Sequence, residues 1–448
     1  MTLIRKELVI VIVLLFIGTC VISAIAQNTE KTSQRTSTRK NQLFDTTTVL
    51  LPPPKGWIKT FGGDGDEMGT SVQQTTDGGY IITGYTSSFG VGSADVWLIK
   101  TDGNGKKVWD RTFGGADAET GECVQQTTDG GYIITGYTDS FGAGGWDAWL
   151  IKTDDNGGEE WNRTFGGTSR DEVASVQQTK DGGYIITGFT GSFGANHEDV
   201  WLIKTDDSGD EVWNKTFGGT AWDSGHSVKQ TTDEGYIIAG FTGSFGFFGE
   251  AWLIKTDDSG DEVWNKTFGG TGYDGGFSVQ QTTDGGFIIA GYTNSFGAVN
   301  DAWLIKTDGN GEEVWNKTFG GTGEEAGKSV QRTTDGGYII AGYTESANNY
   351  DAWLVKTDGN GDEVWNQTFG RTDAEMGECV QQTTDDGYII TGYRLKQNPW
   401  VYDYNLLLIK TDSQGKSKTT LLDTLWLNRL FLRFPNAFPI LHFLLDFN

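Results

Sequence analysis

The sequence predicts an all-β fold, a seven-bladed β-propeller made of four-stranded blades. Two observations predict it. The motif W-x-x-T-F recurs seven times at intervals of 50 to 52 residues, and each unit holds four short strand-like segments separated by Gly and Asp turns. No segment of the unit has the periodicity of an amphipathic helix. The recurring phenylalanines are Phe61, Phe113, Phe165, Phe217, Phe268, Phe319 and Phe369.

Each strand of the unit has its own character. The V-Q-Q-T segment is predicted to be the innermost strand, Y-I-I-T-G-Y the next, W-L-I-K the third and W-N-x-T-F the outermost. The second and third segments are almost continuously apolar. Strands with this composition are buried on both faces, as they are when blades pack against each other. The D-G-N-G and D-D-S-G turns resemble calcium loops but lack the full ligand pattern, so they are predicted to be hairpin turns.

The two ends of the repeat array predict how the ring closes. After Leu407–Lys410 the seventh unit lacks its outermost strand, and an unpartnered copy of that strand, Trp57–Phe61, precedes the first unit. We predict that 57–61 pairs with 406–410, which closes the circle and leaves no exposed sheet edge. One propeller domain then covers residues 57–416.

The segments outside the propeller predict an exported protein that is secreted or held at the cell surface. Residues 1–26 place two basic residues before an uncharged apolar run that ends in Ala-Ile-Ala, which predicts a signal peptide or an uncleaved N-terminal anchor. Residues 27–56 form a polar linker. Residues 417–448 form an apolar, amphipathic tail, which either packs on the domain or contacts a membrane surface.

Composition narrows the classes of partner. The chain has 60 acidic and 34 basic residues, a net charge of −26, which disfavours a nucleic-acid partner. The propeller is more acidic still, because ten basic but only five acidic residues lie outside 57–416, and this charge favours cations or cationic surfaces. The three histidines stand in unrelated contexts, so catalysis has little support. We expect a monomer that binds a protein or carbohydrate surface.

The repeat is also similar to a known group. The pattern D-G-G-Y-I-I-T-G-Y, followed by W-L-I-K-T-D and W-N-K-T-F-G-G, resembles the delta-sixty and related secreted propeller repeats of bacterial and archaeal exported proteins. The resemblance covers all seven units. It implies the propeller fold and export, but no particular activity, because that group is largely uncharacterised and propellers host unrelated functions.

The first candidate site is a ring of acids. Every unit has a carboxylate six residues after its repeat phenylalanine, where the chain is predicted to reach the central axis. Each acid either caps the F-G-G turn or pairs with the invariant lysine that ends W-L-I-K, or else the ring binds a cation such as Ca²⁺. No other cofactor is expected. The acids are Glu67, Glu119, Asp171, Asp223, Asp274, Glu325 and Glu375, and the lysines are Lys100, Lys152, Lys204, Lys255, Lys306, Lys356 and Lys410.

The second candidate site is a set of variable loops between the Y-I-I-T-G-Y and W-L-I-K strands, on the same face as the acids. Variable aromatic loops on a rigid scaffold are a usual place for recognition. This predicts a non-catalytic binding or surface-scaffold protein; the alternative is a carbohydrate-active, glycan-hydrolysing enzyme. The recurring S-F-G phenylalanines are expected to fold the loops. The candidate binding residues in these loops are Trp146, Phe247, Phe248, Tyr350, Trp400 and Tyr402.

Two further residue types allow narrower predictions. Cys123 and Cys379 replace a serine in blades two and seven, too far apart for a disulfide, and are expected to be small buried residues. Five sequons predict N-glycosylation, although copying of the repeat explains them equally well. They are Asn162, Asn214, Asn265, Asn316 and Asn366.

Overall fold

The computed structural model describes residues 56–417, except 196, 247, 298, 347–348, 371–372 and 399–400. These residues form seven four-stranded antiparallel sheets. The predicted signal or anchor segment lies outside the described residues, as do the linker before Gly56 and the tail after Ser417. In the described part of the chain, no helix has the length and apolarity needed to cross a bilayer.

The strands follow the predicted order in every blade, from the channel outwards. Blade one contains β2 (Glu67–Gln74), β3 (Tyr80–Thr86), β4 (Asp95–Thr101) and β5 (Lys107–Phe113). Blade two contains β6 (Glu119–Gln126), β7 (Tyr132–Thr138), β8 (Asp147–Thr153) and β9 (Glu159–Phe165). Blade three contains β10 (Asp171–Gln178), β11 (Tyr184–Thr190), β12 (Asp199–Thr205) and β13 (Glu211–Phe217). Blade four contains β14 (Asp223–Gln230), β15 (Tyr236–Thr242), β16 (Glu250–Thr256) and β17 (Glu262–Phe268).

The remaining blades repeat the pattern. Blade five contains β18 (Asp274–Gln281), β19 (Phe287–Thr293), β20 (Asp301–Thr307) and β21 (Glu313–Phe319). Blade six contains β22 (Glu325–Arg332), β23 (Tyr338–Ser346), β24 (Asn349–Thr357) and β25 (Glu363–Phe369). Blade seven contains β26 (Ala374–Gln382), β27 (Tyr388–Asn398) and β28 (Val401–Thr411), and its outer strand is β1 (Trp57–Phe61).

The seam closes as predicted. Strand β1 pairs antiparallel with β28, with Trp57 opposite Lys410 and Phe61 opposite Leu406. At six of the seven blade junctions among the described residues, a glutamine side-chain oxygen of one inner strand accepts a backbone N–H of the next. The bond from Gln74 N–H to Gln381 joins the last blade to the first. In blade four Lys229 replaces the glutamine, and Val279 N–H of blade five donates to the Ser227 hydroxyl at 3.3 Å. The pairing of β1 with β28 therefore completes the seventh sheet, and hydrogen bonds connect each blade to the next.

The core lies between blades. In blade one, Trp97 and Ile99 pack toward blade seven, whereas Leu98 packs toward blade two. Because alternate residues of a strand face opposite sides, each W-L-I-K strand contributes to two hydrophobic clusters. The prediction that both faces of these strands are buried is confirmed.

One turn shows why the hairpins need glycine. Gly105 adopts a φ of +72° in the turn between β4 and β5, a conformation that glycine accepts at little cost. A Cβ at this position would also lie 2.5 Å from the Trp57 ring. The repeated D-x-x-G turns are hairpins packed under a tryptophan of the preceding blade.

Candidate functional site

The seven predicted acids are buried, between 0% and 5% exposed, at the start of the inner strands. Glu119 shows the arrangement: it accepts the N–H of Gly115 at 2.8 Å, the hydroxyl of Thr138 at 2.9 Å and the N–H of Ser140 at 3.1 Å. The turn-capping prediction is confirmed for six acids, and the Glu375 carboxylate pairs with Arg394 at 3.1 Å. The six capping acids are Glu67, Glu119, Asp171, Asp223, Asp274 and Glu325.

The alternative that the lysines neutralise these acids is wrong. Lys100 lies at the other end of the blade, where its Nζ contacts the Asp77 carboxylate at 2.8 Å and donates to the Thr101 carbonyl at 3.1 Å. Partial burial would raise the pKa of Asp77, but hydrogen bonds from Lys100, Thr75 and the Gly79 N–H lower it to about 2. The equivalent pairs are Lys152–Asp129, Lys204–Asp181, Lys255–Asp233, Lys306–Asp284, Lys356–Asp335 and Lys410–Asp385.

A second set of acids, which the sequence analysis missed, lies beside the first. Asp95 Oδ2 accepts the Val91 N–H at 2.9 Å, and its Oδ1 has no hydrogen-bond partner among the described residues. This Oδ1 and Oε2 of Glu119 lie 2.0 and 2.5 Å from the point where a Cβ on Gly114 would stand. Burial raises the pKa of Asp95 to about 6, and the nearby Glu119 charge adds a smaller increase. The hydrogen bond from Val91 N–H lowers this pKa but does not offset the burial. Carboxyl groups of neighbouring blades therefore converge on the first glycine of F-G-G.

The predicted loop aromatics are distributed over several blades. The Trp146 ring stacks on Tyr137 with centroids 4.8 Å apart, and the Arg170 guanidinium lies 4.6 Å from the Trp146 centroid. The Tyr350 hydroxyl donates to Glu324 at 3.1 Å. Phe248 is 59% exposed. Phe247, Trp400 and the side chain of Tyr402 lie outside the described residues.

The S-F-G phenylalanines support their loops. Phe245, for example, lies 5.3 Å from the Trp252 ring, and the four other copies make the same contact with the tryptophan of their own blade. Their rings nevertheless stay about half exposed. They are both structural and accessible.

Two exposed aromatic residues were missed because they lie in the other loops of this face. Trp222 and Tyr273 follow F-G-G and are 66% and 57% exposed. Trp222 donates its indole N–H to Nδ1 of His197 at 3.2 Å, and Tyr273 lies 6.4 Å from Phe248. The sequence held a signal, because the residue before the acid varies among the copies, with only alanine occurring twice. We call Trp222, Phe248 and Tyr273 the aromatic patch; it spans blades three to five.

The axial channel holds a further ring that the sequence analysis missed. Each inner strand has a β-bulge three residues after its acid, as between Gly69 and Ser71 in β2. A bulge leaves one residue unpaired and redirects its side chain, and here those residues line a channel cavity of about 260 Å³. Unlike the acids, they differ in every blade except for one repeat of Glu. This bulge ring consists of Thr70, Glu122, Ala174, His226, Phe277, Lys328 and Glu378.

Several members of the bulge ring are titratable. Burial raises the pKa of Glu122 to about 8, with smaller contributions from Glu172 and Glu378. Burial also raises the pKa of Glu378, and the positive charge of Lys328 opposes both shifts. The Lys328 Nζ lies 4.1 Å from the Phe277 ring centroid.

The fourth-blade member of the ring, His226, is held in the neutral state. Its Nδ1 lies 2.8 Å from the Gly276 carbonyl and its Nε2 lies 3.0 Å from the Ser224 hydroxyl. Because a carbonyl can only accept, Nδ1 carries a proton, and in the neutral imidazole Nε2 then accepts from the serine hydroxyl. Burial lowers the pKa of His226, which is consistent with this tautomer.

The cysteines are free, as predicted. The Sγ atoms of Cys123 and Cys379 contact the carbonyls of Val176 and Val72 at 3.8 and 3.7 Å. Across the part of the chain that the structure describes, no three His, Cys, Asp or Glu side chains are arranged to hold a metal ion. The Ca²⁺ site stays a prediction.

The sequon asparagines have a structural role. Asn162 accepts the indole N–H of Trp149 at 3.3 Å and donates to Glu159 at 2.6 Å. The same contacts recur at Asn214, Asn265, Asn316 and Asn366. In the first unit, Asp110 accepts the corresponding tryptophan bond. Glycosylation stays a prediction.

Comparisons with known proteins give likeness of fold only. No family model matches the sequence, and no curated protein matches it. Sqt1 from Chaetomium thermophilum is 10% identical with a TM-score of 0.44, covering 80% of this chain and 84% of its own; it has also been solved bound to the N-terminus of ribosomal protein L10. Puromycin hydrolase and the polysaccharide lyase Uly1 are each 12% identical with TM-scores of 0.48. They cover 79% and 77% of this chain, and 54% and 90% of their own chains. Likeness at this level says nothing about activity.

Proposed function

We propose that this chain is an exported, non-catalytic binding protein, and that it contacts a surface partner through the face that carries the variable loops. The observation that supports this most is the aromatic patch. Its three side chains are each more than half exposed, although buried aromatic residues are abundant elsewhere in the molecule. Exposed aromatic clusters of this kind are typical of interaction sites.

The chemistry of the patch suits a polar surface partner. Tyr273 combines an apolar ring with a hydroxyl group, and Trp222 presents an indole ring whose N–H is already bound to His197. Both residue types are enriched at recognition surfaces. The loops that hold them are tied to each other, because Gly243 N–H donates to the Trp222 carbonyl at 2.7 Å and Asp274 N–H donates to the Gly249 carbonyl at 3.0 Å. A partner would therefore meet rings that are already positioned, at a small entropic cost.

The alternative, a glycan-hydrolysing enzyme, requires two carboxyl groups that reach the substrate. Beside the loops, the converging carboxyls of Asp95 and Glu119 are buried and 2% or less exposed. The channel acids Glu122 and Glu378 are only partly buried and line the channel cavity. Hydrolysis of any glycan that binds, lost on Glu122→Gln or Glu378→Gln, would favour the enzyme.

The test combines a glycan array with a pull-down of cell-envelope components, using the purified chain. We expect one partner to be retained by the native protein and lost by the Trp222→Ala/Tyr273→Ala double variant. The matched control is Phe89→Ala, which removes a half-exposed ring of the same face from blade one. Equal loss of binding in the control, or unchanged binding in the double variant, would contradict the assignment of the patch.

A further inference from the structure

The axial channel contains a second candidate site, independent of the aromatic patch. We propose that the bulge ring binds a small zwitterion of the amino-acid class, with the ammonium group held by Glu122 and Glu378 and the carboxylate held by Lys328. Three lines of argument support this: the fold does not need these charges, the charges are unpaired, and their order around the ring is complementary to such a ligand.

The fold does not need the charges, because the molecule contains its own controls. The same bulge, in the same register, holds Thr70, Ala174 and Phe277 in blades one, three and five. A hydroxyl, a methyl group and an aromatic ring therefore all satisfy the local structure. Glu122 and Lys328 occupy the same bulge position, and the bulge does not require a charged side chain there.

These three ionisable side chains also lack ion-pair partners, although the Lys328 ammonium lies 4.1 Å from the Phe277 ring centroid. Among the described residues, no ion pair within 4.0 Å involves Glu122, Lys328 or Glu378. By contrast, Lys100 and its six equivalents each have an aspartate. Enclosing a charge without a partner is costly. Since the fold tolerates neutral residues here, a bound ligand is a reason for the charges to be present.

The order of the residues around the ring selects the ligand class. Glu378 and Glu122 flank Thr70 on blades seven, one and two, whereas Lys328, Phe277 and His226 follow one another on blades six, five and four. One side of the channel is therefore acidic, and the other is basic and aromatic. A simple cation would leave Lys328 unpaired, and a simple anion would leave both glutamates unpaired. A zwitterion satisfies all three.

The remaining members of the ring set size and shape. His226 is fixed by Ser224 and the Gly276 carbonyl, so it contributes a neutral wall. The Phe277 ring provides an apolar surface for a side chain or methylene group. The cavity volume of about 260 Å³ is near the lower end of the range for small-molecule sites, roughly 300–1,000 Å³, which suits an amino acid or a dipeptide.

The protonation of Glu122 provides an independent readout. Its pKa is raised to about 8, so the carboxyl is largely protonated at pH 7 in the free protein. An ammonium group beside it favours the ionised form. Binding should therefore release a proton, which calorimetry detects as a heat that depends on the ionisation enthalpy of the buffer.

The experiment is a thermal-shift screen of the full chain with the twenty free L-amino acids and Gly-Gly, followed by titration calorimetry of any compound that raises the Tm. We expect at least one zwitterion to bind and to release a proton. Its N-acetyl and methyl-ester forms, which each lack one charge, should bind at least tenfold more weakly. The Lys328→Met and Glu122→Gln/Glu378→Gln variants should show the same loss.

The matched control is Lys107→Met, the same substitution as Lys328→Met but on β5, the outer strand of blade one, which should leave the affinity within about twofold. The Tm of every variant shows whether it folds. The proposal is overturned if no zwitterion shifts the Tm, if binding survives Lys328→Met, or if butylamine binds as tightly as the zwitterion. The aromatic-patch variant should bind the zwitterion normally, so this test is separable from that of the proposed function.

Discussion

Two rings of seven residues, three positions apart in the same inner strands, behave in opposite ways. The ring at the start of these strands, from Glu67 to Glu375, is acidic in every blade and buried. The bulge ring, from Thr70 to Glu378, contains five kinds of side chain besides its two glutamates. In a propeller built from repeats, a residue that is the same in every blade stabilises the blade. A residue that varies between blades is free to take part in binding.

The physical basis of the contrast is hydrogen bonding. Each capping acid satisfies backbone N–H groups of the F-G-G turn and a threonine hydroxyl of the adjacent strand, so its loss would leave buried donors without partners. The bulge residues line the channel, and their polar contacts differ from blade to blade: Thr70 and His226 bond a glycine carbonyl of the next blade, whereas Ala174 has no polar side-chain atom.

Opening the circle should disrupt both rings at once. Deletion of Trp57–Phe61 removes the outer strand of blade seven and its pairing with Leu406–Lys410. We expect a loss of about 3–5 kcal/mol, the scale of truncating a large buried aromatic side chain, measured by chemical denaturation. An unchanged unfolding midpoint would show that the seam does not stabilise the ring.

The same substitution at two positions of β6 separates the rings. Glu119→Ala should cost about 2–4 kcal/mol, because Gly115 N–H, Thr138 hydroxyl and Ser140 N–H lose their shared acceptor. Glu122→Ala, three residues along, should change stability by less than about 0.5 kcal/mol. Equal losses in the two unfolding curves would remove the distinction.

The pH dependence of stability follows from acids at both ends of the blades. The pKa of Asp95 rises from 3.8 to about 6 on folding, so the folded state holds more protons and stability falls as the pH rises through that range. Asp77 has its pKa lowered to about 2, so its contribution is lost as the pH falls from about 4 toward 2. We therefore expect maximal Tm between about pH 4 and 5.

The Asp95→Asn variant isolates the contribution of the Asp95–Glu119 pair to the pH dependence of stability. Asn405 already stands at the position equivalent to Asp95, near Glu67 at the seam. Asp95→Asn should raise stability at pH 7.5 by about 1 kcal/mol and leave it nearly unchanged at pH 4.5. A Tm that rises steadily from pH 4.5 to 7.5 in the native protein would contradict the converging-carboxyl account.

The smallest effect is expected at the cysteines. In other blades a serine takes this position, and its hydroxyl accepts a backbone N–H from the next blade, as Ser175 does from Val228 at 3.2 Å. The Cys123→Ser/Cys379→Ser variant should therefore keep its stability within about 0.5 kcal/mol. A large loss of Tm would show that the sulfurs fill space that an oxygen cannot.

The sequence was sufficient for the fold and for part of the site. Repeat spacing predicted the blades, and the unpartnered strand Trp57–Phe61 predicted the seam. The predicted pairing of the invariant lysines with the capping acids was wrong, because spacing along the chain does not show which end of a blade a side chain reaches. Lys100 pairs with Asp77 at the end of the blade opposite the capping acids.

The bulge ring could not be predicted from the sequence alone. A bulge is one extra residue in a strand pair, and its effect on side-chain direction depends on the register with the neighbouring strand. The G-x-S segment gives no local sign of it. The signal available was variation: Lys328 and Ala174 occupy a position that differs between copies, but the residue directly after each acid varies as much.

Replacing all three ionisable side chains of the bulge ring together shows whether this ring contributes to the stability of the fold. The Glu122→Thr/Lys328→Thr/Glu378→Thr variant copies the residue that blade one uses, and its unfolding is compared with that of Glu119→Thr. We expect the triple variant to keep the native Tm or exceed it, because enclosed charges are removed, while the single variant unfolds at a clearly lower temperature. A triple variant that is less stable than Glu119→Thr would contradict the claim that the bulge ring does not stabilise the fold.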